Sequence, residues 1–170
     1  PTKGLKTNIS YTIYTNLHTN TAYSSLAAQV TKIFPITLNT FIIPTIYGRF
    51  IFNDGIPFMY SNVIGGEGYN PHYEQQIPFS GLTHTESTLK LLGNAQIQVR
   101  HKFHEKQYLT LSGNYAIHQN QFSNFLQGKK IYGTSIGYGY DSPLGPIEGF
   151  ICYSNRTNKL GFYLNIGFGF

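Results

Sequence analysis

The sequence predicts an all-β fold, an antiparallel transmembrane β-barrel with eight strands in this chain. Three observations carry that expectation. First, the chain ends on strict period-two alternation. Leu160, Phe162, Leu164, Ile166, Phe168 and Phe170 are apolar, and Gly161, Tyr163, Asn165, Gly167 and Gly169 fall between them. One side of such a strand is greasy and the other small or polar. A large exposed apolar stripe drives a soluble protein to associate. A tilted membrane strand needs about 9–11 residues with lipid on one side and a polar lumen on the other, so the six apolar side chains are expected to face lipid. Second, charged residues are 11% and aromatics 16%, carried by 14 Tyr and 13 Phe, whereas soluble domains are about one-quarter charged. Third, mean hydropathy is slightly negative at −0.20, and no run reaches the 18 or more apolar residues of a membrane helix. Apolar and polar residues alternate instead of running together.

The strands follow in order. The first is expected at about 4–16, with Leu5, Ile9, Tyr11 and Ile13 opposite Lys6, Asn8, Ser10 and Thr12. The second, about 22–34, sets Leu26, Ala28 and Val30 against Ser25, Gln29 and Thr31. The third, about 38–52, alternates poorly, since Phe41, Ile42, Ile43 and Ile46 put apolar groups on both sides. Pro44 removes a ladder donor there, which predicts a bulge or an edge. The fourth, about 89–103, opposes Leu91, Ala95, Ile97, Val99 and Phe103 to Asn94, Gln96, Gln98, Arg100 and Lys102. The fifth, about 108–118, and the sixth, about 130–141, alternate as cleanly, the sixth with Gly133, Ser135, Gly137 and Gly139 on its small face. The seventh covers about 147–154 and the eighth is the terminal stripe.

Short connections at 34–37, 104–106 and 141–146 alternate with connections at 17–21, 53–88, 119–129 and 155–159, two of which are long. Outer-membrane barrels have short periplasmic turns and longer outside loops, so 53–88 is expected to be extracellular. Loops beyond about 12–15 residues are usually functional or disordered. The polar second faces argue against a β-sandwich, whose inward faces are apolar. Residues 1–170 read as one domain. The chain begins at Pro1 and carries no signal peptide, which suggests a processed or partial chain. The net charge of +5 is scattered, without the basic patch of a nucleic-acid binder, so no nucleic-acid partner is expected.

Some motifs tempt a chemical reading. Gly133-Thr134-Ser135-Ile136-Gly137 matches a nucleophile elbow, but that chemistry needs a strand-to-helix turn and a nearby base. Here the serine sits within an alternating strand, so small lumen-lining residues are the better reading and no catalytic residue is expected. Ile136-Gly137-Tyr138-Gly139 echoes a potassium filter, which needs four copies between helices. His101 and His104 are three apart, on opposite faces of a strand, a poor metal site. No metal or other cofactor is expected. Glu148, Arg100, Lys102 and Asn114 are expected in the lumen, as an internal polar network that satisfies buried charges rather than a lining that sets which solutes pass, with Cys152 inward and inert.

The block Ser135-Ile136-Gly137-Tyr138-Gly139-Tyr140-Asp141-Ser142-Pro143-Leu144-Gly145-Pro146-Ile147-Glu148 resembles the penultimate hairpin of the BamA/TamA-type bacterial surface antigen superfamily. Gly161 to Phe170 resembles its last strand, which implies that Phe168 and Phe170 form the signal read by the barrel-assembly machinery. Pro1-Thr2-Lys3-Gly4 and the loop segments Ile64-Gly65-Gly66 and Glu74 to Leu82 are similar to the barrel of Bacteroidetes patatin-like phospholipases. The loop likeness rests on Gly65, Gly66, Gln76, Pro78, Phe79 and Gly81. The superfamily's inward loop carries an Arg-Gly-aromatic tip, and Val63-Ile64-Gly65-Gly66-Glu67-Gly68-Tyr69 has no Arg.

The resemblance implies the C-terminal half of a sixteen-stranded barrel in the bacterial outer membrane. There it would anchor or translocate a patatin-type lipid acyl hydrolase whose catalysis lies outside this chain. It implies a loop folded back into the barrel. It also implies outer-membrane lipid, lipopolysaccharide and the assembly machinery as partners, with the first half of the barrel or a second copy closing the sheet. The alternatives are a BamA/TamA-type barrel for protein insertion or export, or a small independent porin or surface barrel.

Overall fold

Alternation builds one long antiparallel meander in the computed structural model, which describes residues 3–16, 20–66, 75–82, 84–143 and 145–167. Strands β1 (Gly4–Asn16), β2 (Thr21–Pro35) and β3 (Thr40–Ile51) are followed by three short strands, β4 (Asn62–Gly65), β5 (Gln76–Ile77) and β6 (Thr85–Thr88). Then come β7 (Leu91–His104), β8 (Gln107–Gln119), β9 (Lys129–Ser142), β10 (Gly145–Ser154) and β11 (Leu160–Ile166). The eight long strands form one sheet in the order β1-β2-β3-β7-β8-β9-β10-β11. The sheet is not closed: β1 and β11 are its edges. The fold class is therefore the expected one, an all-β barrel sheet of eight antiparallel strands.

The register sorts side chains onto two faces. Leu111, Ile136, Ile151 and Phe162 align across β8 to β11 on the outward face. One pair along, Ser112, Ser135, Cys152 and Gly161 align on the inward face. Cys152 is buried there with Glu148 and Phe150, as expected.

Pro44 does not behave as expected. It lies in β3, an interior strand paired on both sides, and makes neither an edge nor a bulge. The β7 side runs unbroken through Pro44 opposite Ile97. The β2 side skips from the pair Thr31–Thr45 to Phe34–Ile42 without changing register. The lost N–H thus costs the sheet a short gap in one ladder. A register shift occurs instead at the β7–β8 turn, between Lys102 and His104.

The lumen is also less polar than the alternation implies. Tyr47, Leu92, Ala116 and Ile131 stand on the inward face and pack with Ile64, Phe79 and Leu82 of the 53–88 loop into a small core. That core is what positions the site below. Among the described residues no helix is long and apolar enough to cross a membrane.

Candidate functional site

The long loop folds back across the inward face of the sheet. After β3 the chain makes a 3-10 turn, Phe58–Tyr60. It then forms a three-stranded sheet in which β4 pairs parallel to β5 and antiparallel to β6. Val63, Ile64, Phe79 and Leu82 are completely buried. Burying each such side chain is worth about 1.5–3 kcal/mol, which offsets part of the cost of ordering the connection, about 1–2 kcal/mol per residue.

Polar contacts fix the loop at both ends. At its start stands Arg49, a buried cation on β3. Its Nη2 donates to Ser25 Oγ (3.0 Å) and to the Tyr60 carbonyl (3.5 Å). Its Nη1 donates to Asn62 Oδ1 (3.2 Å) and the Ser61 carbonyl (3.3 Å). Asn62 Nδ2 in turn donates to the carbonyls of Leu89 (2.8 Å) and Lys90 (2.9 Å), closing the loop's two legs. At the far side Ser80 Oγ lies 3.0 Å from Ser112 Oγ and 3.2 Å from Ser135 Oγ, and those two are 2.6 Å apart. Thr157 Oγ1 donates to the Gly81 carbonyl (3.4 Å), and Arg156 Nε donates to Glu86 Oε2 (2.9 Å). The loop therefore spans the wall from β3 to the connection after β10.

Close approach explains several glycines. A Cβ on Gly133 would run into the Ser80 carbonyl and the Phe79 ring, so the wall admits the loop only where β9 has no side chain. Gly81 has φ +83°, and a Cβ there would meet the Tyr153 carbonyl.

Below the loop the inward face carries part of the expected polar network, joining Arg100 and Glu148, while Asn114 bonds the Pro78 carbonyl of the loop instead. Tyr108 Oη donates to Glu148 Oε1 (2.5 Å). Arg100 Nη2 lies 3.8 Å from the same oxygen, its guanidinium stacks 4.6 Å over the Tyr108 ring, and its Nε donates to Thr110 Oγ1 (3.3 Å). Gly139 and Gly137 make room for the Tyr108 and Phe150 rings. Beside the loop, toward β1, lies a polar cleft of about 440 Å³ reached by Lys6, Asn8, Ser10 and Gln96.

The residues singled out from the sequence fall as follows. Leu160, Phe162, Leu164 and Ile166 are on the outward face, Leu160 78% and Phe162 67% exposed. Phe168 and Phe170 lie outside the described residues, as do Glu67, Gly68, Tyr69 and Glu74. The loop residues Gly65, Gly66, Gln76, Pro78, Phe79 and Gly81 come together. Gln76 Nε2 donates to the Gly65 carbonyl (2.8 Å), Gly66 N–H to the Leu82 carbonyl (2.7 Å), and the Pro78 carbonyl accepts from Asn114 Nδ2 (3.5 Å). Ser135 of the elbow-like motif bonds other serine hydroxyls in mid-strand. His101 bonds Thr40, and His104 the Phe103 carbonyl.

Sequence reading missed Arg49, Tyr108 and the serine cluster. Arg49 had a signal: it is the one charge in the otherwise apolar or neutral β3. Tyr108 and the serines had none, because their partners come from distant strands.

No curated protein matches this chain. The sequence profile of the OMP85 superfamily matches residues 1–170. An open meander with an apolar outward face and a loop laid along its inward face agrees with that match, and the chain belongs to the OMP85 superfamily of BamA/TamA-type outer-membrane barrels.

Proposed function

We propose that this chain is an outer-membrane barrel domain that anchors a patatin-type lipid acyl hydrolase and performs no catalysis itself. The observation that carries the anchoring part is the contrast between the two faces. The inward face is covered by the chain's own loop, with Phe79, Ile64 and Leu82 fully buried. The outward face leaves Ile9, Ile46, Ile97, Ile151, Phe162 and Ile166 more than half exposed. A sheet that packs a loop over part of its inward face and bares an apolar other side matches a lipid-embedded barrel. The loop residues Gly65, Gly66, Gln76, Pro78, Phe79 and Gly81 form a plug in this reading. The 53–88 loop enters from the extracellular side, and Phe168 and Phe170 serve the assembly machinery.

The hydrolase link is supported by the sequence likeness at the first residues and in the loop. The family match supports equally a barrel that inserts or exports proteins. The two are separated in the full-length protein. If the barrel is an anchor, deleting it leaves esterase activity intact and moves it from the membrane pellet to the soluble fraction. Loss of outer-membrane protein assembly, with no esterase activity in the intact protein, would favour the insertion reading.

A further inference from the structure

The outward face carries a recess that alternation does not require. The register aligns Ala28 on β2, Gly48 on β3 and Gly93 on β7, with Ala95 next on the same face. A floor of small residues thus lies among taller neighbours such as Leu26, Ile46 and Tyr115. The segment after β8 leans over one end. The Phe122 ring is 4.4 Å from that of Phe50, and a Cβ on Gly93 would sit 2.8 Å from the Phe125 ring. The recess encloses about 660 Å³, within the span of about 300–1,000 Å³ typical of small-ligand clefts. Ile117 on its rim pairs across the sheet with Lys130, which is exposed and follows exposed Lys129. Among the described residues, Asp54 pairs with Lys90 and Glu86 with Arg156, and no carboxylate pairs with Lys130.

We propose that this recess holds one acyl chain of an anionic membrane lipid, with the headgroup phosphate met by Lys130. The inference rests on the outward face being lipid-facing. In hydrocarbon a tail gains nothing from leaving its neighbours, since lipid is as apolar as the groove. An unfilled recess, however, forfeits dispersion contacts along its lining, so some chain fills it. Which lipid stays is then decided by charge at the rim. Phe50, Phe52, Phe122 and Phe125 gather at the loop end of the face, the level at which barrels carry their interfacial aromatic girdle. A phosphate at that level falls within reach of Lys130 while its tail runs down the glycine and alanine floor.

The test uses the full-length protein refolded into vesicles of phosphatidylcholine mixed with phosphatidylglycerol, then released in mild detergent for native mass spectrometry. The wild type is expected to retain one lipid, with phosphatidylglycerol favoured. Ala28→Leu with Ala95→Leu fills the floor from exposed positions that touch no core, and should abolish retention while the barrel still inserts. Lys130→Gln should keep the lipid but lose the headgroup preference about fivefold, the worth of one lysine at an anionic surface. Inserted wild type that retains no lipid, a filled-floor variant that retains as much, or a preference untouched by Lys130→Gln would each overturn the proposal. Failure of the wild type to insert, read by loss of protease protection, would instead overturn the membrane reading.

Discussion

Gly133 and Arg49 show how single side chains decide whether the loop sits on the wall. A Gly133→Leu chain must displace the Ser80 carbonyl and the Phe79 ring. Overpacking of this kind costs about 1–3 kcal/mol, so protease should cut earlier within residues 53–90 and the melting temperature should fall. Gly113→Ala is the matched control, because a Cβ there meets nothing within 4 Å, and neither measurement should move. Arg49→Met removes four donated bonds, two of them to carbonyls of the loop's first leg. Bonds to a charged group are worth about 1.5–3 kcal/mol each, and the loss should appear as a lower denaturant midpoint with unchanged strand content by circular dichroism. At this scale the sequence was partly legible. Alternation placed Glu148, Arg100 and Cys152 inward correctly. It could not place Ser80 beside Ser112 and Ser135, because side-chain meetings between a loop and two strands leave no local pattern.

The strands were the most legible elements, since each writes its own period-two signature. The exceptions have physical causes. β3 alternates poorly because Phe41 and Ile43 stand on its inward face, opposite Arg100 and Gln98, while its outward face carries Ile42 and Ile46. The short strands β4, β5 and β6 could not be read at all, being two to four residues long and buried by tertiary contact rather than by pattern. Two substitutions test the faces separately. Phe79→Ala empties a completely buried site in the loop and should cost about 3–5 kcal/mol, with the sheet still formed. Ile151→Arg places a charge on an outward residue that is 53% exposed. In water such a change is nearly neutral. In a bilayer it costs about 2–4 kcal/mol near the midplane, so folding titrations into vesicles should show a marked loss that detergent-free surface exposure would not predict.

For the whole molecule, the pair of edges governs assembly. β1 and β11 each present one unpaired ladder, and unpaired backbone is not tolerated in hydrocarbon. The chain by itself is therefore expected to associate in detergent through these edges, as sedimentation would show. A stable monomer would mean that β1 and β11 pair with each other. Composition and alternation made the class of fold legible, but closure was not, because it depends on the shear and strand number of the finished barrel rather than on any one strand.

Anchorage of residues 53–88 from Arg49 to Thr157 also couples parts of the wall that lie far apart in the sheet. One strap holds β3 and the connection after β10 at a fixed span. The curvature of the wall is therefore set in part from within, and with it the distance between the two outermost strands. Substitutions that loosen the interior strap should slow barrel closure in vesicles even when they lie far from the seam.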